Sequence, residues 1–221
     1  MLGFNRSKRP VELGPYPMET LRRDPNVAES ESLRTPECLA QTSCGTTSPL
    51  VRAALTHLAA YEELREPEPF SKLAPVPEDL MLRTRDIKGA GYFADASQIG
   101  ICEMPNNGWL NYSRTVHRYV IVVLVEFSDP IDIENHAAEW VSGNEGLLAT
   151  LRASEIAINL SGQISSMGFL SCAHWSGATD VDLEMLAVLA GLALREGKGL
   201  FNPYVDDQFS LAVVTTDYAL N

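Results

Sequence analysis

The feature that most constrains the fold of this chain is the apolar run from Tyr119 to Phe127, YVIVVLVEF. Most of its residues are β-branched or aromatic, which favours a β-strand. Because the run does not alternate with polar residues, it predicts a central strand that is buried on both faces. Its apolar part, from Tyr119 to Val125, is far shorter than the roughly 18 residues needed to cross a bilayer, so no transmembrane segment is predicted.

Helical signals surround this strand. Ser48 and Pro49 are suited to the cap and first position of a helix. A long helix is predicted over 144–167, and Gly168 is suited to end it. Two further helices are predicted: one over 78–95, interrupted near its glycines 89 and 91, and one over 181–194, capped by Asp180 and ended by the turn 197–199. Short strands are predicted over 98–102, 169–174 and 209–216. The predicted fold is therefore mixed α/β (α+β), a sheet flanked by helices.

The first part of the chain, residues 1–47, is predicted to be an extended N-terminal arm, and residues 48–221 the folded module. Prolines at positions 10, 15, 17, 25 and 36 leave no room for a long helix. The arm could pack on the folded module, or residues 26–47 could form a disordered tail.

The charge balance narrows the possible partners. The chain has 17 basic and 29 acidic residues, a net charge of −12. A field of this sign repels phosphate, which argues against nucleic acid and against an anionic membrane surface as partners. The four cysteines follow no apolar signal segment, so we predict a cytoplasmic protein with reduced thiols.

The residues themselves indicate no evident catalytic apparatus. The cysteines lack the tight spacing of an iron–sulfur cluster, and the four histidines are scattered, so no metal site is predicted. Neither a nucleophile elbow nor a phosphate-binding loop is present. Two side chains are weak candidates: Tyr112, in a loop before the central strand, could donate a proton, and His174 lies at a strand end.

Six blocks carry a resemblance to a known family, in matching order and spacing: residues 94–102, 119–127, 157–169, 186–192, 199–204 and 213–220. From about Lys88 to the end, the chain resembles the cobalamin-binding module of the reductive dehalogenases. Residues 4–17 resemble the start of the cytoplasmic members, which begin with a second copy of this module that carries no corrinoid.

The resemblance implies a nitroreductase-like fold. In the family, a corrinoid cobalt takes halogen from an organohalide, and two iron–sulfur clusters in a following ferredoxin-like domain supply electrons. A tyrosine and a basic residue near the cobalt assist protonation.

Three departures from the family pattern matter. The sequence contains no cluster-binding cysteines after the module. Ser165 stands where the family often has a basic residue. The helix after Asp180 often ends in glycine-glutamate-leucine-glycine-arginine in the family, whereas residues 191–195 here read GLALR. Close approach of the backbone to a large ligand needs glycine, so Ala193 and Leu194 weaken the expected cofactor pocket.

These departures lead to a main hypothesis and two alternatives. The main hypothesis is a degenerate, non-catalytic module without a corrinoid or an iron–sulfur cluster, which packs on a catalytic cobalamin–ferredoxin half or on its own copies. The first alternative is a corrinoid-binding protein or minimal dehalogenase supplied by a separate ferredoxin, with Tyr112, His174, Asn202 and Tyr204 as candidate contacts. The second is a flavin-binding reductase. It would need basic residues to bind the flavin phosphate, and the sequence offers few candidates, Arg114 and Arg118.

Overall fold

The computed structural model describes residues 9–22, 24–38, 48–110, 116–129, 131–132, 134–136, 138–197 and 199–221, without the side chains of residues 139 and 140. Within these residues, the helices are α1 (Pro25–Ser32), α2 (Pro49–Glu62), α3 (Leu80–Phe93), α4 (Ala138–Val141), α5 (Glu145–Ser166) and α6 (Leu183–Leu189). The strands are β1 (Gln98–Glu103), β2 (Tyr119–Glu126), β3 (Ser171–Trp175), β4 (Leu194–Glu196), β5 (Gly199–Phe201) and β6 (Phe209–Thr216). None of the described helices is long and apolar enough to cross a membrane.

The main sheet has four strands in the order β1-β2-β6-β3, and every neighbouring pair is antiparallel. β2 lies inside the sheet, and the residues between its two ends are all buried. The predicted mixed fold and its central strand are therefore confirmed. β4 and β5 form a separate two-stranded hairpin.

Helices cover both faces of this sheet. α5 packs against β6, β3 and β2 on one side, through buried side chains such as Ile156, Leu160 and Ile164. α6 packs on the other side, through Leu183 and Leu186. We call these the α5 face and the α6 face. Since side chains alternate along a strand, each strand contributes to both faces.

The predicted interruption of α3 is wrong, because the helix continues through Gly89 and Gly91. Gly91 serves tertiary packing instead. A Cβ atom at this position would lie 2.1 Å from Cδ1 of Ile99, so a larger residue would force the end of the Ile99 side chain to shift.

The predicted helix over 181–194 is also wrong at both ends. Asp182, not Asp180, caps α6, and its carboxylate accepts a hydrogen bond from the N–H of Met185 at 2.9 Å. The helix stops before Gly191, whose φ of 72° lies in the left-handed region. Gly197 and Gly199 do not end a helix, since the strand β4 ends at Glu196 and its partner β5 begins at Gly199.

The described part of the arm lies against the folded module. α1 begins at Pro25, with Asp24 as its cap, and it contacts α6. Its buried residue Glu31 binds Arg34 and Arg195, and Arg34 also binds the buried carboxylate of Asp182. The described residues of the arm therefore pack on the folded module. The division of the chain at residue 47 stays a prediction.

Candidate functional site

His174, a predicted cofactor contact, is fully buried in β3 on the α6 face. Its Nε2 lies 3.1 Å from Oγ1 of Thr215 in β6, and its Nδ1 accepts a hydrogen bond from the backbone N–H of Asp180 at 3.3 Å. A ring nitrogen that accepts a hydrogen bond carries no proton, so this geometry selects the neutral ring with its proton on Nε2. Nε2–H then donates to Thr215.

A second histidine shares the same hydroxyl group. Nδ1 of the buried His117 lies 2.8 Å from Oγ1 of Thr215. The ring of Trp109 lies 6.4 Å from the His117 ring and 6.3 Å from the His174 ring. Sequence reasoning missed this cluster, because the two histidines are far apart in sequence and are brought together only by the pairing of β3 and β2 with β6.

Asp180 continues the polar cluster toward solvent. Its carboxylate forms an ion pair with Arg65, and both side chains are partly exposed. The backbone carbonyl of Arg65 also accepts a hydrogen bond from the N–H of Ala173 in β3 at 2.8 Å. The residues after α2 are therefore fixed to the edge of the sheet by both a backbone bond and a side-chain bond.

Asn202, another predicted cofactor contact, is fully buried, and both ends of its amide form hydrogen bonds within the protein. Its Nδ2 donates to Oε1 of Gln98 and to the carbonyl of Leu192, each at 2.6 Å. Its Oδ1 accepts from Nε2 of Gln98 at 3.2 Å and from the N–H groups of Tyr204 at 2.9 Å and Val205 at 3.2 Å. This amide joins the turn after β5 to the start of β1.

Tyr204, the third described candidate, contacts the N-terminal arm. Its hydroxyl donates to the carbonyl of Pro17 at 3.2 Å, and its ring centroid lies 5.2 Å from that of Tyr16. The hydroxyl of Tyr16 in turn donates to the carboxylate of Glu126 at the end of β2. The catalytic candidate Tyr112 lies outside the described residues, as does Arg114.

The structure does not bring the three described candidates into one site. His174 lies in β3 at one edge of the sheet, whereas Asn202 bonds to Gln98 in β1 at the other edge. Three strand spacings separate these edges, a distance of about 14 Å. The backbone N–H of Tyr204 bonds to Asn202, so Tyr204 also lies away from His174.

Cavities along the described part of the chain are separate and modest in size. One of about 440 Å³ lies beside Trp109, His117 and Arg118. Another of about 360 Å³ lies between α1 and α6 and is lined by side chains such as Val27 and Leu189. Neither cavity is lined by His174, Asn202 or Tyr204.

No family model matches the chain, and no curated protein matches it. Solved structures do. The catabolic reductive dehalogenase NpRdhA, N-terminally tagged, is 32% identical over 96% of this chain, with a TM-score of 0.83. The predicted resemblance to the reductive dehalogenase family is confirmed.

Two further dehalogenase structures agree. One suggests a mechanism for B12-dependent dehalogenation, and the other is NpRdhA in complex with 3-bromo-4-hydroxybenzoic acid. Each is 31% identical over 96% of this chain, with a TM-score of 0.85. The chain spans only 30% of the length of each of these dehalogenases.

A corrinoid does not fit the residues predicted to hold it. Pockets for drug-sized ligands measure roughly 300–1,000 Å³, and a corrinoid is larger than such ligands. The three described candidates line neither of the two cavities named above, and the amide of Asn202 already forms five hydrogen bonds. Among the described residues, these candidates therefore form no corrinoid site.

Proposed function

We propose that this chain is a reductive dehalogenase-like module without a corrinoid site of its own, which packs on a catalytic half that carries the corrinoid and the iron–sulfur clusters. The observation that supports the proposal most directly is the use of the predicted cofactor contacts for internal bonds at opposite edges of the sheet. The cytoplasmic location and the lack of an iron–sulfur cluster, both predicted from the sequence, are parts of this proposal.

The partner is proposed from the remaining length of the related dehalogenases. This chain matches 30% of the length of each related dehalogenase, so the remaining 70% of that length has no counterpart in the match. Large apolar side chains are available for contact with such a partner. Phe70 and Leu73, which are 68% and 61% exposed, lie in the proline-rich segment that covers the end of α5. Its backbone is fixed there by hydrogen bonds from Phe70 to Ser165 and from Ala74 to Met167.

These two side chains are the proposed contact surface. An exposed apolar patch on a segment with a fixed backbone is typical of protein–protein contact sites. The occupant that we propose is the catalytic half of a dehalogenase. If the chain instead binds a second copy of itself through this surface, that copy replaces the catalytic half as the occupant.

Cobalamin titration tests the first part of the proposal. The purified full chain is incubated with cobalamin and separated by gel filtration, while the corrinoid absorbance is followed. We expect the corrinoid to elute apart from the protein. Elution of one corrinoid per chain with the protein would contradict the proposal and favour a corrinoid-binding protein or a minimal dehalogenase supplied by a separate ferredoxin.

A binding experiment tests the second part. The full chain is mixed with a separately produced dehalogenase catalytic half, and the complex is measured by analytical ultracentrifugation. We expect a 1:1 complex, which Phe70→Ser with Leu73→Ser should weaken by at least about tenfold, as expected for apolar contact residues.

The matched control for that variant is Phe93→Ser. Phe93, which is 86% exposed, is an aromatic residue at the end of α3, beside the opposite edge of the sheet, so its replacement should leave the complex intact. Absence of any complex, or equal weakening by the control, would contradict the proposed surface. Self-association lost in the double variant would identify a second copy as the occupant.

A further inference from the structure

Three side chains of metal-binding type meet at the edge of the sheet. Cys172 and His174 are two positions apart in β3, so they point to the same face, and both are fully buried. Asp180 follows in the loop after the strand and is one-third exposed. One ligand atom from each of the three lies within 4.8 Å of the others.

We propose that Cys172, His174 and Asp180 form a binding site for a zinc-type divalent cation. A thiolate, an imidazole and a carboxylate are the ligands that Zn²⁺ takes from proteins, and three protein ligands plus one water complete its tetrahedron. The thiolate and the imidazole favour Zn²⁺ over Mg²⁺ or Ca²⁺, which prefer oxygen ligands. This site does not depend on the proposed function.

The geometry needs a small adjustment that the chain can supply. Bonds of about 2.0–2.3 Å in a tetrahedron place the ligand atoms about 3.3–3.7 Å apart. The ligand atoms here lie up to 4.8 Å apart, which exceeds the spacing in a zinc tetrahedron by about 1 Å. The two ligands on β3 are held by the sheet, so Asp180, on the partly exposed loop, is the ligand that moves.

Arg65 is the competitor of the metal. Its guanidinium is paired with the carboxylate of Asp180, and the N–H of Asp180 donates to Nδ1 of His174. A cation that binds here must displace Arg65 from the carboxylate of Asp180, and it must also replace the hydrogen bond from the N–H of Asp180, because Nδ1 of His174 has one lone pair. As the sulfur–metal bond forms, Cys172 releases its thiol proton to solvent, so the affinity should rise with pH.

Titration of the reduced full chain with Co²⁺ and then Zn²⁺ tests the site. We expect one Co²⁺ per chain, with a thiolate-to-metal charge-transfer band that Zn²⁺ abolishes. Cys172→Ser should remove the band and weaken Zn²⁺ binding by at least about tenfold, since loss of an outer-shell partner alone costs that much. The matched control is a variant with serine at Cys38, Cys44 and Cys102, which should keep the band.

Two rim variants test the competition. Arg65→Gln should tighten Zn²⁺ binding by about threefold to fivefold, because an ion pair of this exposure opposes the metal by up to about that factor. Asp180→Asn should weaken it by about tenfold or more. Both residues lie near the surface, so these variants keep the test valid if Cys172→Ser does not fold, as judged by circular dichroism.

Several results would overturn the proposal. They are the absence of a charge-transfer band, a band that persists in Cys172→Ser and disappears in the triple-serine control, and Zn²⁺ binding that Asp180→Asn leaves unchanged. An Arg65→Gln variant with unchanged affinity would overturn the competition between the guanidinium and the metal.

Discussion

The two faces of the sheet are built by the same strands but differ in what they bury. The α5 face is apolar over most of its area, and small or branched side chains of the long helix fill it. Both faces also bury polar side chains, but of different kinds. The α5 face buries hydroxyl groups such as those of Ser161, Ser165 and Ser171. The α6 face buries mainly amide, imidazole and carboxylate groups, and its buried polar side chains are Gln98, His117, His174, Asp182, Asn202 and Thr215. Among the described residues, every fully buried side-chain nitrogen or oxygen has a hydrogen-bond partner. The polar groups of the α6 face thus bond loops and the arm to the sheet, whereas the α5 face is mostly apolar and its hydroxyl groups join α5 to β3 and to the proline-rich segment.

The largest expected effect is on the α5 face. Ile164→Ala should lower the free energy of unfolding by about 2–5 kcal/mol, because it removes buried methylene and methyl groups and leaves a cavity against the sheet. Urea unfolding measures this loss. Ile158→Ala, a change of the same chemistry at a half-buried position of the same helix, is the control and should cost clearly less. Equal losses would contradict the role given to this face.

On the α6 face, the two partners of the buried amide pair should respond unequally. Asn202→Ala should cost about 2–4 kcal/mol, because it leaves the carbonyl of Leu192 and two backbone N–H groups without this partner. Gln98→Leu should cost only about 1 kcal/mol, because Asn202 still holds the turn. Chemical unfolding of both variants gives the comparison. If Gln98→Leu costs as much as Asn202→Ala, the backbone bonds of Asn202 are not what stabilises this face.

The difference between the faces also explains what could be predicted from the sequence. The apolar run of β2, the helix over 144–167 and the strand over 209–216 depend on neighbouring residues, and all three elements were predicted within a few residues of their observed bounds. Hydrophobic pattern alone specifies such elements. The resemblance to the dehalogenases was also readable, from the order of the six blocks.

The polar contacts depend on residues far apart in sequence. Gln98 and Asn202 are 104 positions apart, and Arg65 and Asp180 are 115 apart. Asp180 and Asp182 both offer a capping carboxylate at this point of the sequence. In the structure Asp182 caps α6, whereas Asp180 pairs with the distant Arg65. Likewise, Asn202 and Tyr204 were predicted as cofactor contacts on the basis of the resemblance to the dehalogenases, but no local pattern reveals that folding uses those groups internally.

The attachment of α1 to the α6 side should depend on charge. Arg195 bonds to Glu31 of α1 and to Glu184 of α6, and these hydrogen bonds raise the pKa of Arg195. Arg195→Gln should cost about 1–3 kcal/mol and speed hydrogen exchange within α1, because charge-assisted bonds to a buried carboxylate are lost. Hydrogen exchange followed by mass spectrometry measures the effect.

The control for Arg195 is Arg85→Gln. Arg85 pairs with Glu12 at the surface, where ion pairs contribute little, so exchange in α1 should not change. Unchanged exchange in both variants would mean that apolar contacts, rather than the ion pairs, hold α1.

The smallest effect is expected where the arm, α3 and β1 meet, and it should depend on pH. Burial raises the pKa of Tyr92 above its usual value of 10.0, and the Tyr92 hydroxyl accepts a hydrogen bond from the N–H of Ile99 at 3.0 Å. At pH 8, Tyr92→Phe should therefore cost about 1 kcal/mol. A raised pKa in the folded state contributes stability that is present below pH 10 and lost as the pH rises through the folded value. The variant lacks this titration, so the difference in unfolding free energy between the two proteins should shrink above pH 10. A difference that stays constant between pH 8 and about pH 11 would show that the hydroxyl titrates alike in the folded and unfolded chains, and that burial at this junction does not favour its protonated form.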